Sequence, residues 1–315
     1  MGKLQKVLFL ILFSSILNGC SNPKLTTLEG ETMTMPYRIV IGKHLSYQET
    51  EQLKKEINAV FHVIDTVYNN WNRESELSKI NRTPAGVAIP LSKKLCNFLE
   101  MVDNFYRISG GRFDPTLGPL KTLWLLHLKQ HSIPNEQVWK SYYEHSGWKY
   151  IDLDIDNQIL TKKHSDLQLD LCGAVKGFAV DCLLETCQSF CFNSYVEWGG
   201  EIKISGCHPS GRPWRIASSA TSEIIELKNT AAATSGNYHQ QWFVDGKIYT
   251  HILDPHTGKP LELHNYPIVS ATVIHPSCAF ADAMATVLMT FSTKTEALAW
   301  AKENHITVFI NDNAS

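Results

Sequence analysis

The segment "YTHILDPHTGKP", residues 249–260, combines two histidines, an aspartate and a lysine, all of which can move or hold a proton. His251 stands in a β-branched run, and Asp254 precedes a turn that contains Pro255 and Gly258. An imidazole has an unperturbed pKa of about 6.5, so it can accept a proton near neutral pH. A carboxylate three residues away can orient that imidazole or accept a hydrogen bond from a turn N–H. The segment therefore predicts either a general base or a polar hairpin.

A second segment, "ADAMAT", places Asp282 and Thr286 four residues apart on a predicted helix. Residues at that spacing project from one helix face. A carboxylate with a hydroxyl suits a hard cation such as Mg²⁺, which prefers oxygen ligands. The alternative is that Asp282 only complements the helix dipole in the first turn.

The third segment, "LDLCGAVKGFAVD", residues 169–181, reads as a strand that enters a glycine turn and then a helix. Glycine at Gly173 and the helix N-terminus would allow backbone groups to approach a phosphate or a metal. Lys176 follows in the first turns of the helix. The spacing is not that of a phosphate-binding P-loop, so an ordinary strand–helix turn remains the alternative.

Two glycine-containing segments accompany these three. "SGGRFDPTLGPL" predicts a loop that carries Arg112, Phe113 and Asp114. "SYVEWGGEIKISG" contains Gly199 and Gly200, which predict a break within a strand. Such a break indicates a β-bulge or a close approach of the backbone to a ligand.

Long helices in the first half and short strands in the second half must position these groups. Apolar residues at helical spacing predict a helix over 48–71, and Ser92 with Gly110 predicts the two ends of another. Further helices are expected at 174–190, 279–291 and 294–304. Asp-Gly in "VDGK" predicts a hairpin. We therefore expect an α+β fold, with mixed or antiparallel sheets covered by helices.

Composition excludes several classes of protein. The chain has 315 residues, of which 43% are hydrophobic, a formal net charge of −2 and a pI near 6.7. A chain of this length and apolar content can bury a sizeable core, and one large domain or two closely packed lobes are both compatible with it. The charge provides no basic surface for nucleic acid, so no nucleic-acid partner is expected.

The N-terminus predicts export. Lys3 and Lys6 precede an apolar run that ends at Cys20, which is typical of a signal peptide over residues 1–19. "LNGC" resembles a bacterial lipoprotein box, in which the cysteine becomes the lipidated N-terminus. An ordinary secretory signal is the alternative. We expect a tether at 20–29, a folded domain at 30–315, and a protein anchored to a bacterial membrane through Cys20 and facing the periplasm.

Taken in order, eight segments resemble the ApbE family of FAD:protein FMN transferases, which are often exported lipoproteins. The resemblance covers about residues 30–292, and the family implies a T-fold-like domain. The matching segments are "GETMTMPYRI", "NNWNRESELSKIN", "GGRFDPTLGPL", "LDLCGAVKGFAVD", "VEWGGEIKISG", "TSGNY", "YTHILDPHTGKP" and "ADAMAT".

The resemblance implies a reaction and a set of residues. A Thr or Ser hydroxyl of an acceptor protein attacks the FMN-side phosphorus of FAD, and AMP leaves. Mg²⁺ is held by Asp282, Thr286 and the backbone carbonyl of Gly173, and His251 is the base, with Asp254 beside it. The residues implied in FAD binding are Met33, Trp71, Arg112, Phe113, Asp114, Lys176, Asp181 and Ile252.

Two other functions fit the same residues. An FAD pyrophosphatase would let water replace the acceptor hydroxyl and would yield FMN and AMP. A flavin-binding lipoprotein would store or deliver FAD without turnover. The chain also departs from the family at Thr34-Met35, where Gly-Thr is common, at Cys172, and at Asn237, where Asp is frequent.

Overall fold

The computed structural model describes residues 24–217, 224–238 and 240–312. The predicted signal peptide and Cys20 lie outside these ranges. Within them, no helix is both long enough and apolar enough to cross a membrane. The first strand begins at Thr26, so residues 26–29 of the expected tether belong to the folded domain.

Helices predominate in the first half of the described chain and strands in the second half. The helices are α1 Tyr47–Val63, α2 Glu76–Arg82, α3 Lys93–Ile108, α4 Gly118–Lys129, α5 Glu136–Glu144, α6 Cys172–Gln188, α7 Cys278–Met289 and α8 Lys294–Glu303, with a π-helical turn at Ile64–Tyr68 and a 3-10 turn at Trp148–Tyr150. The strands are β1 Thr26–Thr32, β2 Met35–Ile41, β3 Ile89–Pro90, β4 Ile151–Asp154, β5 Ile159–Lys162, β6 Ser194–Trp198, β7 Glu201–Ser205, β8 Trp214–Ala217, β9 Ile224–Leu227, β10 Ala231–Gly236, β11 Gln241–Val244, β12 Lys247–Asp254, β13 Lys259–Glu262, β14 Ile268–His275 and β15 Thr307–Asp312.

A seven-stranded antiparallel sheet forms the larger lobe, in the order β1-β2-β6-β7-β10-β14-β15. α6 and α7 pack against it and α1 packs on α6. On its other face, the β8–β9 hairpin adds an apolar cluster that contains Val40, Trp214 and Ala232. Because both faces are covered, the first half of β10 and most of β14 are buried.

α6 and α7 approach each other unusually closely at one glycine. A Cβ atom on Gly177 would lie 2.2 Å from the carbonyl oxygen of Cys278, where no real side chain fits. Glycine at this position therefore allows the two helices to meet backbone to backbone. The contact fixes the start of α7 relative to the start of α6.

The smaller lobe consists of α4 and α5 packed on the three-stranded sheet β11-β12-β13. Its core contains Leu120, Trp124, Trp139 and Leu253. The indole N–H of Trp124 donates to the carbonyl of Gly258 at 3.0 Å. The helix pair thereby holds the turn that follows β12.

The α+β fold with antiparallel sheets and covering helices is confirmed. The helix predicted over 48–71 is shorter, because α1 gives way to the π-helical turn after Val63. The pattern did not predict α4, in which apolar residues are too evenly distributed to mark one face. Gly199 and Gly200 do not break a strand: they form the two-residue turn between β6 and β7, with φ of 62° and 101°.

Candidate active site

A cavity of about 670 Å³ opens between the two lobes, and we call it the polar cavity. It collects residues from the larger lobe, from the loop before α4 and from β12. The predicted site residues that line it are Arg112, Phe113, Asp114, Gly173, Lys176, His251, Ile252, Asp282 and Thr286. Segments far apart in sequence thus meet where the resemblance implies a single site.

A second cavity of about 750 Å³ lies beside the π-helical turn, and we call it the apolar cavity. Met33 and Trp71, both implied in FAD binding, line this cavity rather than the first. Its other lining residues are Thr34, Met35, Ile64, Asp65, Tyr68, Asn69, Asn70, Asn72, Cys172, Val175, Lys176 and Trp198. Because Cys172 and Lys176 line both cavities, the two spaces meet at the start of α6.

Asp282 and Thr286 lie on the same face of α7, as their spacing predicts, and both line the polar cavity. Asp282 is 3% exposed, and its Oδ2 accepts the backbone N–H of Gly177 at 3.0 Å. The hydroxyl of Thr286 shares a hydrogen bond with the hydroxyl of Ser235 at 2.9 Å. One carboxylate and two hydroxyls therefore form an oxygen-rich corner of the cavity.

Gly173 begins the same corner from α6. In a regular α-helix the N–H of residue 177 would donate to the carbonyl of Gly173. Here that N–H donates to Asp282, so the carbonyl of Gly173 shares its usual partner with a carboxylate. Phe113 closes in from the other side, where a Cβ on Gly173 would lie 3.2 Å from Cε2.

Lys176 brings a positive charge to the junction of the two cavities. Its ammonium forms an ion pair with Glu201 and lies 3.7 Å from Oδ1 of Asp282. Burial alone would lower the pKa of Lys176, but the carboxylates of Asp282 and Glu201 raise it above its ordinary value. The two carboxylates therefore favour the charged form of Lys176.

Burial favours the neutral, protonated form of both carboxyl groups. Burial raises the pKa of Glu201 to about 7, although Lys176 opposes this shift. Burial also raises the pKa of Asp282, against the effects of Lys176 and of the Gly177 N–H. Two carboxylates that share one lysine in a buried site thus leave a net demand for positive charge.

His251 and Ile252 reach the polar cavity because β12 is irregular. Consecutive side chains of a regular strand point to opposite faces. The pairing of β12 with β13 shifts its register between Tyr249 and Leu253, so His251 and Ile252 lie in an irregular part of the strand. Both of them line the cavity as a result.

The proposed role of Asp254 beside His251 is corrected by the structure. Its Oδ1 accepts the N–H of His256 at 2.9 Å, and its Oδ2 accepts the hydroxyls of Tyr266 at 2.9 Å and Thr257 at 3.2 Å. Of the two roles expected for Asp254, orienting the imidazole or accepting a turn N–H, the structure shows the second: the carboxylate holds the turn after β12. His256 is exposed and approaches the carbonyl of Gly110.

Asp181, which the resemblance implies in FAD binding, lines neither of the two cavities. It accepts hydrogen bonds from the N–H groups of Cys278 and Ala279 and forms an ion pair with Lys203. It therefore caps the N-terminus of α7. Five helical residues separate it from Lys176, which turns its side chain roughly 140° away from the lysine.

Arg112 and Asp114 line the polar cavity but are held by other residues. Arg112 donates to the carbonyl of Thr290 at 2.9 Å and lies over the ring of Phe291. Asp114 accepts from Thr116 and from the N–H of Trp148, and burial raises the pKa of its carboxyl. Both side chains therefore shape the loop that closes the cavity.

Sequence reasoning missed four polar residues near the site. Asp170, Lys121 and Ser235 line the polar cavity, and Glu201 is buried behind Lys176. Asp170 lies in the segment 169–181, and its position just before the glycine turn could have indicated a role in the site. Nothing local distinguishes Glu201, because a single Glu after a turn is common.

The family model described as the ApbE family matches residues 33–310. A Chlamydia pneumoniae protein named FAD:protein FMN transferase is 58% identical, over 98% of this chain and 98% of its own length. Among solved structures, the apo form of Pseudomonas stutzeri flavinyl transferase ApbE has a TM-score of 0.83 at 28% identity, covering 93% of this chain and 92% of its own. Flavin transferase ApbE from Vibrio cholerae has a TM-score of 0.80 at 29% identity, covering 91% and 93%. The matched residues thus include segments from both lobes.

Proposed function

Because the chain belongs to the ApbE family, we propose that it is an enzyme that transfers FMN from FAD to a hydroxyl of an acceptor protein. One observation carries this proposal. Asp282, Thr286, Gly173, Lys176 and His251 come from three separate segments and line one cavity. That set supplies what phosphoryl transfer requires: positive charge at the diphosphate, a corner for a cation and a base for the hydroxyl.

In the proposed reaction, the oxygen of a Thr or Ser side chain of the acceptor attacks the FMN phosphorus of FAD. The bond from that phosphorus to the bridging oxygen breaks, and AMP leaves with the bridging oxygen. His251, which lines the polar cavity, takes the proton of the attacking hydroxyl. The product is FMN joined to the acceptor by a phosphoester.

The residues at the α6–α7 corner fit Mg²⁺. Asp282, the hydroxyl of Thr286 and the carbonyl of Gly173 are all hard oxygen donors. The residues that the structure describes contain no group of three or more His, Cys, Asp or Glu side chains that could hold a metal. A site with one carboxylate suits Mg²⁺, which usually retains waters and shares substrate phosphates. When bound, the cation would neutralise the charge of the diphosphate.

FAD would extend across both cavities. Lys176 lies where they meet and would contact the diphosphate. On one side of this point, Met33 and Trp71 offer an apolar surface to a ring of the ligand. Trp71 is 84% exposed, so its ring is accessible to a ligand. On the other side, Phe113 and Ile252 line the polar cavity.

We further propose that the protein is exported and is anchored to a bacterial membrane through Cys20, facing the periplasm. The basic and apolar residues before Cys20 support this proposal. A Cys20→Ala variant should lose metabolic labelling with a fatty acid and should leave the membrane fraction. Unchanged labelling would contradict the assignment of Cys20.

Transfer can be tested directly with purified protein. Incubation with FAD, Mg²⁺ and an exported redox domain that bears a candidate Ser/Thr site should give in-gel flavin fluorescence and an FMN mass adduct. An acceptor whose target Thr or Ser is replaced by Ala is the matched control and should remain unlabelled. Chelation of the metal should abolish labelling.

The same assay separates transfer from the alternatives. Release of free FMN and AMP without an adduct, across several acceptors, would contradict transfer and favour a pyrophosphatase. FAD that binds but is recovered intact would indicate a flavin-binding protein without turnover.

A further inference from the structure

Glu201 is a buried carboxylate that belongs to neither cavity. It is 2% exposed and is the first residue of β7, directly after the Gly199–Gly200 turn. Its Oε1 accepts from the ammonium of Lys176, and its Oε2 is buried without a hydrogen bond. A buried charge is costly unless it is paired, so Glu201 depends on Lys176 for its place in the core.

Lys176 lies between two carboxylates and is closer to Glu201 than to Asp282. It forms a direct ion pair with Glu201 and stays 3.7 Å from Oδ1 of Asp282. Oδ2 of Asp282 is engaged by the N–H of Gly177 at 3.0 Å. Oδ1 is therefore the oxygen that a divalent cation would take, and the ammonium of Lys176 is a rival for it.

We propose that Glu201 is a positioning residue that draws the ammonium of Lys176 away from Asp282 and so keeps Oδ1 of Asp282 available to a divalent cation. The inference rests on the proposed function, which places the cation at Asp282. Without the carboxylate of Glu201, Asp282 is the nearest remaining partner for the lysine, and an ammonium in contact with Oδ1 repels a cation there.

The turn before β7 supports this role. Trp198 pairs with Glu201 across the two-glycine turn, and this pairing fixes the position of Glu201 at the start of β7. A Cβ on Gly199 would lie 3.0 Å from Sδ of Met35, 3.4 Å from Oε2 of Glu201 and 3.7 Å from Cδ of Lys176. The missing side chain leaves room for the lysine stem to reach Glu201.

The test measures binding of Mn²⁺, used as the probe for the cation site, by EPR of the free ion. Each variant is saturated with FAD, at a concentration set by its own fluorescence titration. Glu201→Gln should weaken Mn²⁺ binding by about tenfold or more, because the freed ammonium now competes at Asp282. Glu201→Asp keeps the charge and should stay within about threefold of the wild type.

A double variant distinguishes competition from simple loss of structure. Adding Lys176→Met to Glu201→Gln removes the rival charge, so Mn²⁺ affinity should return to about that of Lys176→Met alone. It also removes the buried pair as a unit, which leaves the net charge of the three-residue cluster unchanged if Glu201→Gln alone fails to fold. Glu262→Gln breaks the ion pair of Glu262 with Lys247, away from both cavities, and is the matched control.

Two results would overturn the inference. One is Mn²⁺ binding by Glu201→Gln that equals the wild type. The other is a double variant that binds far more weakly than Lys176→Met alone, which would mean that Glu201 acts through the fold. Failure of the wild type to bind Mn²⁺ or to transfer FMN is a different result, and it would overturn the proposed function itself.

Discussion

The turn after β12 and the contact between α6 and α7 each bury one aspartate, and they use it in opposite ways. Asp254 is 4% exposed and Asp282 is 3% exposed. Both oxygens of Asp254 are satisfied by donors within the same turn and by Tyr266. Asp282 has one backbone N–H and shares a lysine with Glu201.

This difference distinguishes a carboxylate that maintains structure from one that is available to a ligand. A fully hydrogen-bonded carboxylate has little left to offer a cation. A carboxylate with one oxygen beside a shared ammonium retains negative potential toward the cavity. Burial alone therefore does not identify the functional aspartate, whereas the inventory of donors does. The comparison leads to four predictions.

Asp282→Asn should have the largest effect. Asn keeps an oxygen for the N–H of Gly177 but removes the charge that holds the cation. A metal ion contributes several kcal/mol of charge stabilisation, and about 5 kcal/mol corresponds to roughly 10⁴-fold in rate. FMN transfer measured by in-gel fluorescence should fall to background, while the Tm changes by no more than a few degrees. Normal transfer with unchanged metal dependence would remove Asp282 from the ligand set.

His251→Ala should have the next largest effect on transfer. Loss of a general base costs roughly 10²–10⁴-fold in rate. FAD affinity, measured by fluorescence titration, should change little because the cation corner is intact. His256→Ala, in the exposed turn of the same segment, is the control and should transfer at the wild-type rate. A wild-type rate for His251→Ala would place the base elsewhere.

Asp254→Asn applies the same substitution as Asp282→Asn to the other region. The new amide faces the hydroxyls of Thr257 and Tyr266, so two hydrogen bonds are disturbed. We expect the free energy of unfolding to fall by about 1–3 kcal/mol and the transfer rate to fall only a few-fold. Denaturant unfolding and the labelling assay measure the two effects. A rate loss as large as that of His251→Ala would show that Asp254 takes part in catalysis.

Trp71→Ala should have the smallest effect. The ring is largely exposed and contributes little to the core, so stability should be unchanged. Packing of an aromatic ring on a ligand contributes about 0.5–1.5 kcal/mol, which corresponds to roughly 2–13-fold in FAD affinity. Tyr47→Ala removes another exposed ring that lines neither cavity and serves as the control. Unchanged FAD affinity in Trp71→Ala would exclude the ring from the ligand site.

Sequence reasoning worked best where the signal is local. The N-cap at Ser92, the paired residues Asp282 and Thr286, and the Asp-Gly hairpin were all predicted and are all present. It failed where a residue's partner is distant. Asp181 was implied in FAD binding by the family resemblance, but its hydrogen-bond partners are at the start of α7, about a hundred residues later. Glu201 was overlooked because its partner, Lys176, lies on another element.

The sequence by itself determined the α+β class and the helical face that pairs Asp282 with Thr286, because both depend on periodicity, which is a property of short stretches. His251 was implied as the base by the family resemblance. Only the tertiary structure decided that Asp254 holds a turn, that Asp181 caps a helix and that Lys176 divides its charge between Glu201 and Asp282. The reason is that a buried polar group is defined by its partners, and the fold brings those partners from distant segments.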